Sequence, residues 1–137
     1  MAVLWQQNES GLRLPAGAAG RARRLLLRAA RLTKRRFAEV GLTYVTPHTS
    51  RSLNKRYRRH PWVTDVLSFT YQAQPVSGEI VICLAQAARQ AKRRGHTLAR
   101  ELEVLVCHGL LHLAGYDHIR AKDRLVMRAL EDKLLKV

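Results

Sequence analysis

The stretch Leu102-Glu103-Val104-Leu105-Val106-Cys107-His108-Gly109-Leu110-Leu111-His112-Leu113 is apolar on nearly every side. A helix of that composition has little solvent face of its own and has to be surrounded, which places it at the centre of the fold. Its two imidazoles are four residues apart, about 400° of helical turn, so they leave from one side roughly a turn apart. A lone buried imidazole is ordinarily satisfied by a core hydrogen bond, but a third one, His118, follows closely. On a continuous helix it would lie about 600° beyond His112 and point elsewhere. Gly115 lets the helix stop, because glycine takes the positive φ of a helix C-terminus without steric cost, and Tyr116, Asp117 and His118 can then swing back across the helix end. The expectation is a three-histidine metal site, His108, His112 and His118, at the end of a buried helix.

Neutral nitrogen ligands favour Zn²⁺, although Cu, Ni and Fe also accept imidazole. Structural zinc is usually closed by four protein ligands, whereas catalytic zinc keeps three and a place for water. Cys107 is the nearest fourth candidate, yet it leaves the helix about 100° from His108 and reads as a small core residue. Asp117, beside His118, is either a ligand or an outer acceptor for a ring N–H.

Charge points to the partner. The 137 residues carry a formal net charge of +15, and residues 10 to 64 hold 14 of the 25 Lys and Arg but one acid, Glu39, of the ten. That segment alone is +13 and the remainder +2. Arg21, Arg24, Arg28, Arg31 and Arg35 recur at three and four residues beside an apolar stripe of Leu25, Ala29 and Leu32, so this helix can pack and still face a polyanion. Such a stripe can also be a solvated face, or an Arg-rich targeting helix. Against targeting, Val3-Leu4-Trp5 precedes it as a strand and Pro15 to Gly17 breaks the chain between them. With no apolar run long enough for a membrane span, no apolar leader and two cysteines in apolar settings, Cys83 and Cys107, a reduced cytoplasm is the expected compartment.

One α+β domain over residues 1–137 is expected, a small mixed sheet of about four strands with about five helices. The strands fall at 2–7, 41–46, 63–71 and 79–84, with a hairpin loop at 72–78. The helices fall at 18–38, 50–57, 85–94, 98–114 and 121–135, Thr97 capping the fourth.

The spacing of the three histidines is that of the metzincin proteases, but Gly109 stands where those enzymes carry the glutamate that acts as general base. Met127 lies within a helical pattern, so no Met-turn is evident either. The whole string, His108-Gly109-Leu110-Leu111-His112-Leu113-Ala114-Gly115-Tyr116-Asp117-His118, closely resembles the signature of the YbeY family of ribosomal RNA maturation endoribonucleases. Leu53-Asn54-Lys55-Arg56-Tyr57-Arg58, Thr64-Asp65-Val66-Leu67-Ser68-Phe69, Gly78-Glu79-Ile80 and Gly95-His96-Thr97 are similar to further blocks of that family, so the likeness covers residues 40 to 135. Val63 replaces the family's Pro and Glu79 its usual Asp, neither touching a metal ligand, while Pro47-His48-Thr49-Ser50 replaces a commonly acidic helix start and makes this surface more basic than the family's, so partner contacts there do not carry over directly.

The resemblance implies a metal-dependent hydrolase with one Zn²⁺, cutting RNA phosphodiester bonds of single-strand type in ribosomal RNA maturation and ribosome quality control. It implies His108 and Arg58 as catalytic residues, with His108, His112 and His118 on the metal. RNA, ribosomal or a small-subunit precursor, is then the partner, with ribosomal proteins as further contacts and neither membrane nor DNA. Arg58 would grip phosphate oxygens, or else merely cap its own helix. Asp65, Glu79 and Asp117 are available carboxylates, but spacing puts none beside a metal-bound water. The exposed-or-core status of Trp62 and Tyr71 decides whether they can stack bases. Two rival readings are a zinc-stabilised RNA- or ribosome-binding protein without hydrolysis, and a metallopeptidase.

Overall fold

The computed structural model describes residues 2–117 and 120–136. In chain order the elements are β1 (Val3–Asn8), α1 (Ala18–Thr33), β2 (Phe37–Val45), α2 (Pro47–Arg58), β3 (Val66–Ala73), β4 (Val76–Cys83), α3 (Leu84–Arg94), α4 (Leu98–Leu113) and α5 (Ala121–Leu135). The four strands form one mixed sheet in the order β1-β2-β4-β3, parallel between β1 and β2 and between β2 and β4, antiparallel between β3 and β4. This is the α+β architecture that the sequence leads one to expect. The α1 segment is the crossover that two parallel strands require, so it is built into the core.

Composition follows position in the sheet. Central β4 ends in Ile80-Val81-Ile82-Cys83, buried throughout because both of its faces are covered. On one face Ile80 and Ile82 join Val40, Leu42 and Tyr44 of β2 beneath α1, α4 and α5, which contribute Leu25, Ala29, Leu105, Leu110, Met127 and Leu134. On the other, Val45, Leu67 and Val81 form a smaller cluster with Leu53 of α2 and with Phe69. Edge strand β3 is buried only at Leu67.

Several boundaries differ from expectation, and β3 starts at Val66 instead of residue 63. The basic helix stops at Thr33, where Lys34 takes a left-handed φ of 56°, and β2 begins at Phe37, whose buried ring belongs to the core. Arg35 therefore leaves the stripe, and Leu32, 38% exposed, leaves the apolar face to Ala22, Leu25, Leu26 and Ala29. The helix after β2 starts at Pro47 instead of residue 50, because Pro suits the first helical position and the Thr46 side chain accepts from the Thr49 N–H. The hairpin loop shrinks to Gln74-Pro75, since β3 and β4 keep pairing out to Ala73 and Val76.

Candidate functional site

Helix α4 brings the first two imidazoles together. Thr97 caps it by accepting from the Arg100 N–H at 3.1 Å, and Glu101 sits in its first turn. Its last turn closes as a Schellman motif: the Gly115 N–H donates to the His112 carbonyl and Tyr116 N–H to that of Leu111, both at 3.0 Å, with Gly115 at φ 100°. The expected helix stop is thus present. The third expected ligand, His118, lies outside the described residues, and among the described residues no group of three His, Cys, Asp or Glu is arranged to hold a metal.

Between the two rings, Nε2 of His112 stands 3.0 Å from Nε2 of His108. The other nitrogen of His108, Nδ1, is 3.2 Å from Oε2 of Glu131 on α5. A carboxylate can only accept, so this contact places the His108 proton on Nδ1 and leaves the Nε2 lone pair facing His112. Two nitrogens each bound to one tetrahedral zinc would stand about 3.3 Å apart. The pair therefore fits a shared ion, with Glu131 holding the ring as outer-shell carboxylates do. Sequence reading missed Glu131. The available signal is that it falls four residues after buried Met127 and three before buried Leu134, a carboxylate on the apolar stripe of α5.

Cys107 faces the core, fully buried, with its thiol 4.0 Å from the Glu131 carbonyl. Burial, then the Glu131 charge, pushes that thiol up to about 12, the state of a core residue. Gly109 has a packing reason as well as a chemical one. A Cβ there would lie 2.8 Å from Ile80 side-chain atoms, so α4 rides on β4 at this point. A glutamate at that position would run into the sheet, and the protease arrangement has no room.

A cleft of about 520 Å³ opens between His108 and His112 on one side and β3 on the other, lined by residues 66–71 and by Arg58. Arg58 is the last residue of α2, yet it does not cap its own helix. Its Nη2 donates to the Ser68 carbonyl at 2.8 Å, and its guanidinium lies 5.5 Å from the centre of the Phe69 ring. The α2 end is closed instead by Arg59 in a left-handed conformation, donating its N–H to the Lys55 carbonyl at 3.1 Å. The motif around it has a supporting role: buried Asn54 donates to the Trp62 carbonyl, and buried Ser50 bridges both backbone groups of Thr64. These bonds fix the 59–65 loop, and with it Arg58 against β3.

The candidate carboxylates separate. Asp65 accepts from its neighbouring Val66 N–H and from Gln90 of α3, so it ties the start of β3 down. Glu79 accepts from Thr43 at 2.6 Å and from the Tyr71 hydroxyl at 2.8 Å, beside Leu53 and Val81 on the α2 side of the sheet. Asp117 follows the α4 cap directly. Glu101, which the sequence places at the positive end of α4, is 0% exposed and gathers Gln90, Arg94 and His96 at 2.9, 2.9 and 2.6 Å, a network the sequence did not reveal. This network joins α3 to α4 through the Gly95-His96-Thr97 turn. Trp62 and Tyr71 are surface residues, 55% and 68% exposed, and Trp62 already stacks on His60.

The basic helix is partly consumed by the fold. Arg28 donates to the Leu134 and Lys136 carbonyls at 2.8 and 2.7 Å, closing the end of α5. Arg23, Arg24 and Arg31 remain exposed.

An α+β core presenting two imidazoles and an arginine across an open cleft is the frame of a small hydrolase. Comparison with known proteins gives the family. The model for endoribonuclease YbeY matches residues 14–137, and the chain belongs to that family. It is similar to the endoribonuclease YbeY of Desulforamulus reducens, 45% identical over 109 residues that cover 72% of this chain and 71% of that protein. It is also similar to that of Ureaplasma parvum, 41% identical over 108 residues, covering 76% and 68%. The solution structure of TM1509 from Thermotoga maritima superimposes with a TM-score of 0.67 at 25% identity, covering 96% of this chain and 87% of that one. Among the described residues no helix is long and apolar enough to cross a membrane.

Proposed function

We propose that this chain is a zinc-dependent endoribonuclease that cuts single-stranded regions of ribosomal RNA precursors in the cytoplasm. Family membership supports the endoribonuclease role. The observation that supports a metal-dependent reaction is the pair of facing Nε2 atoms in a cleft whose opposite wall holds Arg58.

His108, His112 and His118 would hold the ion. When bound, it would supply Lewis acidity toward a phosphoryl oxygen or a water molecule. The chain's own residues do the remaining work. Arg58 offers a planar, permanent charge that grips two phosphate oxygens, and its bond to Ser68 keeps that fork in place before substrate arrives. Glu131 fixes the His108 ring and tautomer. The open cleft beside the imidazoles favours a reacting centre over a closed structural zinc site.

The test compares wild type, His112→Ala and Arg58→Ala on ribosomal RNA precursor and on short single-stranded RNA, with metal content and folding measured in the same samples. His112→Ala is expected to lose metal and cleavage together. Arg58→Ala is expected to keep its metal and fall about 100-fold or more in turnover, as when a charge-stabilising donor is removed. Full-rate cleavage by metal-free protein, or unaltered turnover in Arg58→Ala, would overturn the assignment.

A further inference from the structure

Edge strand β3 separates two depressions. One is the histidine cleft; the other, about 230 Å³, is lined by Leu53, Tyr57, Phe69, Tyr71, Glu79 and Val81. Phe69 and Tyr71 line both, so the two meet over this strand.

The second depression is built of rings held in fixed poses. Tyr57 meets Phe69 edge-on at 5.2 Å, and Arg56 lies 5.3 Å from the centre of the Tyr57 ring. Tyr71 is pinned at its tip by the bond to Glu79, whose other oxygen accepts from Thr43. Tyr71 nonetheless stays 68% exposed as a residue, and Tyr57 is half exposed. Desolvation, then the Glu79 hydrogen bond and charge, pushes the Tyr71 phenol up to about 12, so it remains a donor at any physiological pH.

Charge divides across the strand. Arg58 and the imidazoles stand on the cleft side and the Glu79 carboxylate on the other. The first side suits a phosphate, whereas on the second the Glu79 carboxylate is offset by Arg56 over the Tyr57 ring. A neutral aromatic group covalently attached to that phosphate suits the second, and in RNA that group is the base.

We propose that Tyr71 is a base-stacking residue: an unpaired nucleobase next to the scissile phosphate folds over β3 and lies on the Tyr71 ring, with Tyr57 and Phe69 as the floor. This rests on the RNA reading above and sharpens it. A paired base would first have to unpair and unstack, at a cost in free energy, so the shelf favours single-stranded substrate.

Binding tests it without relying on catalysis. Fluorescence anisotropy is measured with a labelled RNA octamer carrying hydrolysis-resistant phosphorothioate linkages, and with octamers abasic at each position in turn. The proteins are metal-loaded wild type, Tyr71→Ala and Tyr71→Phe. Tyr71→Ala should bind the intact octamer about 5- to 150-fold more weakly, the range for losing one base–aromatic stack, while Tyr71→Phe stays within about threefold of wild type. One abasic position should cost the wild type a similar factor and cost Tyr71→Ala nothing further. Wild-type affinity in Tyr71→Ala, or a loss that no abasic position reproduces, would overturn the proposal and leave the shelf to a protein partner. If the wild type binds no octamer at all, the RNA reading itself fails, a different result from either.

Discussion

His108 is fixed at Nδ1 by the Glu131 carboxylate and presents Nε2 3.0 Å from that of His112. A metal ligand whose second nitrogen is fixed loses less rotational freedom on binding, and a hydrogen-bonded carboxylate raises its basicity. Glu131→Gln keeps the shape and can still accept through its amide oxygen, but it removes the charge. Zinc affinity is expected to fall about 10- to 100-fold, read by competition with a chromogenic chelator while circular dichroism stays that of the wild type. Unchanged affinity would show that α5 merely covers the ring. That dependence could not be read from the histidine spacing, because Glu131 lies 23 residues from His108 and meets it only when α5 packs on α4. The Gly115 stop, by contrast, is a local property of one residue's backbone and was legible in full.

Among the elements, those with a pattern of their own were readable, while those whose ends depend on neighbours were not. Helix α4 announced itself by being apolar all round, and it lies beneath α1 and α5 against the sheet. The end of α1 was misplaced because Arg35 continues the three-and-four spacing of the arginines, whereas the actual stop is set by Lys34 and by the demand of buried Phe37 for a place in β2. Gly109 reads in the sequence as a missing catalytic base; in the fold it is the point where α4 touches Ile80. Gly109→Ala is therefore expected to destabilise the chain by about 1–3 kcal/mol through overpacking, in spite of alanine's better helix propensity. A lower thermal midpoint in calorimetry would show this, and a raised one would mean that the helix can shift outward freely. The contact of α1 with β2 carries a pH signature. Tyr44, buried beneath α1, has its phenol pushed up from 10.0 to about 12 by burial, with Arg21 acting in the opposite sense. Because the unfolded chain releases that proton first, stability is fully present below pH 10 and declines as pH rises toward 12. Urea midpoints measured across that window should fall less steeply in Tyr44→Phe than in wild type.

At the scale of the whole molecule, the fold divides the +13 of residues 10–64 among several elements rather than leaving it on one helix. Arg28 is spent on the end of α5, and Arg23, Arg24 and Arg31 stay on the surface of α1. Two arginines of the segment come near the candidate site. Arg58 stands in the cleft wall, and the guanidinium of Arg35, dropped from the helical stripe, comes to 3.8 Å from the point where a Gly115 side chain would begin. The spacing expects Arg35 on the arginine stripe of α1, but the helix stops at Thr33, so Arg35 stands instead beside the turn that follows α4. Each lysine or arginine that neutralises one phosphate of a single strand contributes about 0.7 to the slope of log affinity against log salt. If Arg35 meets the RNA beside the α4 end, Arg35→Gln should weaken octamer binding at low salt and flatten that slope by about 0.7, while Arg28→Gln lowers thermal stability and leaves the slope alone. Equal slopes for Arg35→Gln and wild type would place the RNA path along β3 and α2 only, away from the turn that follows α4.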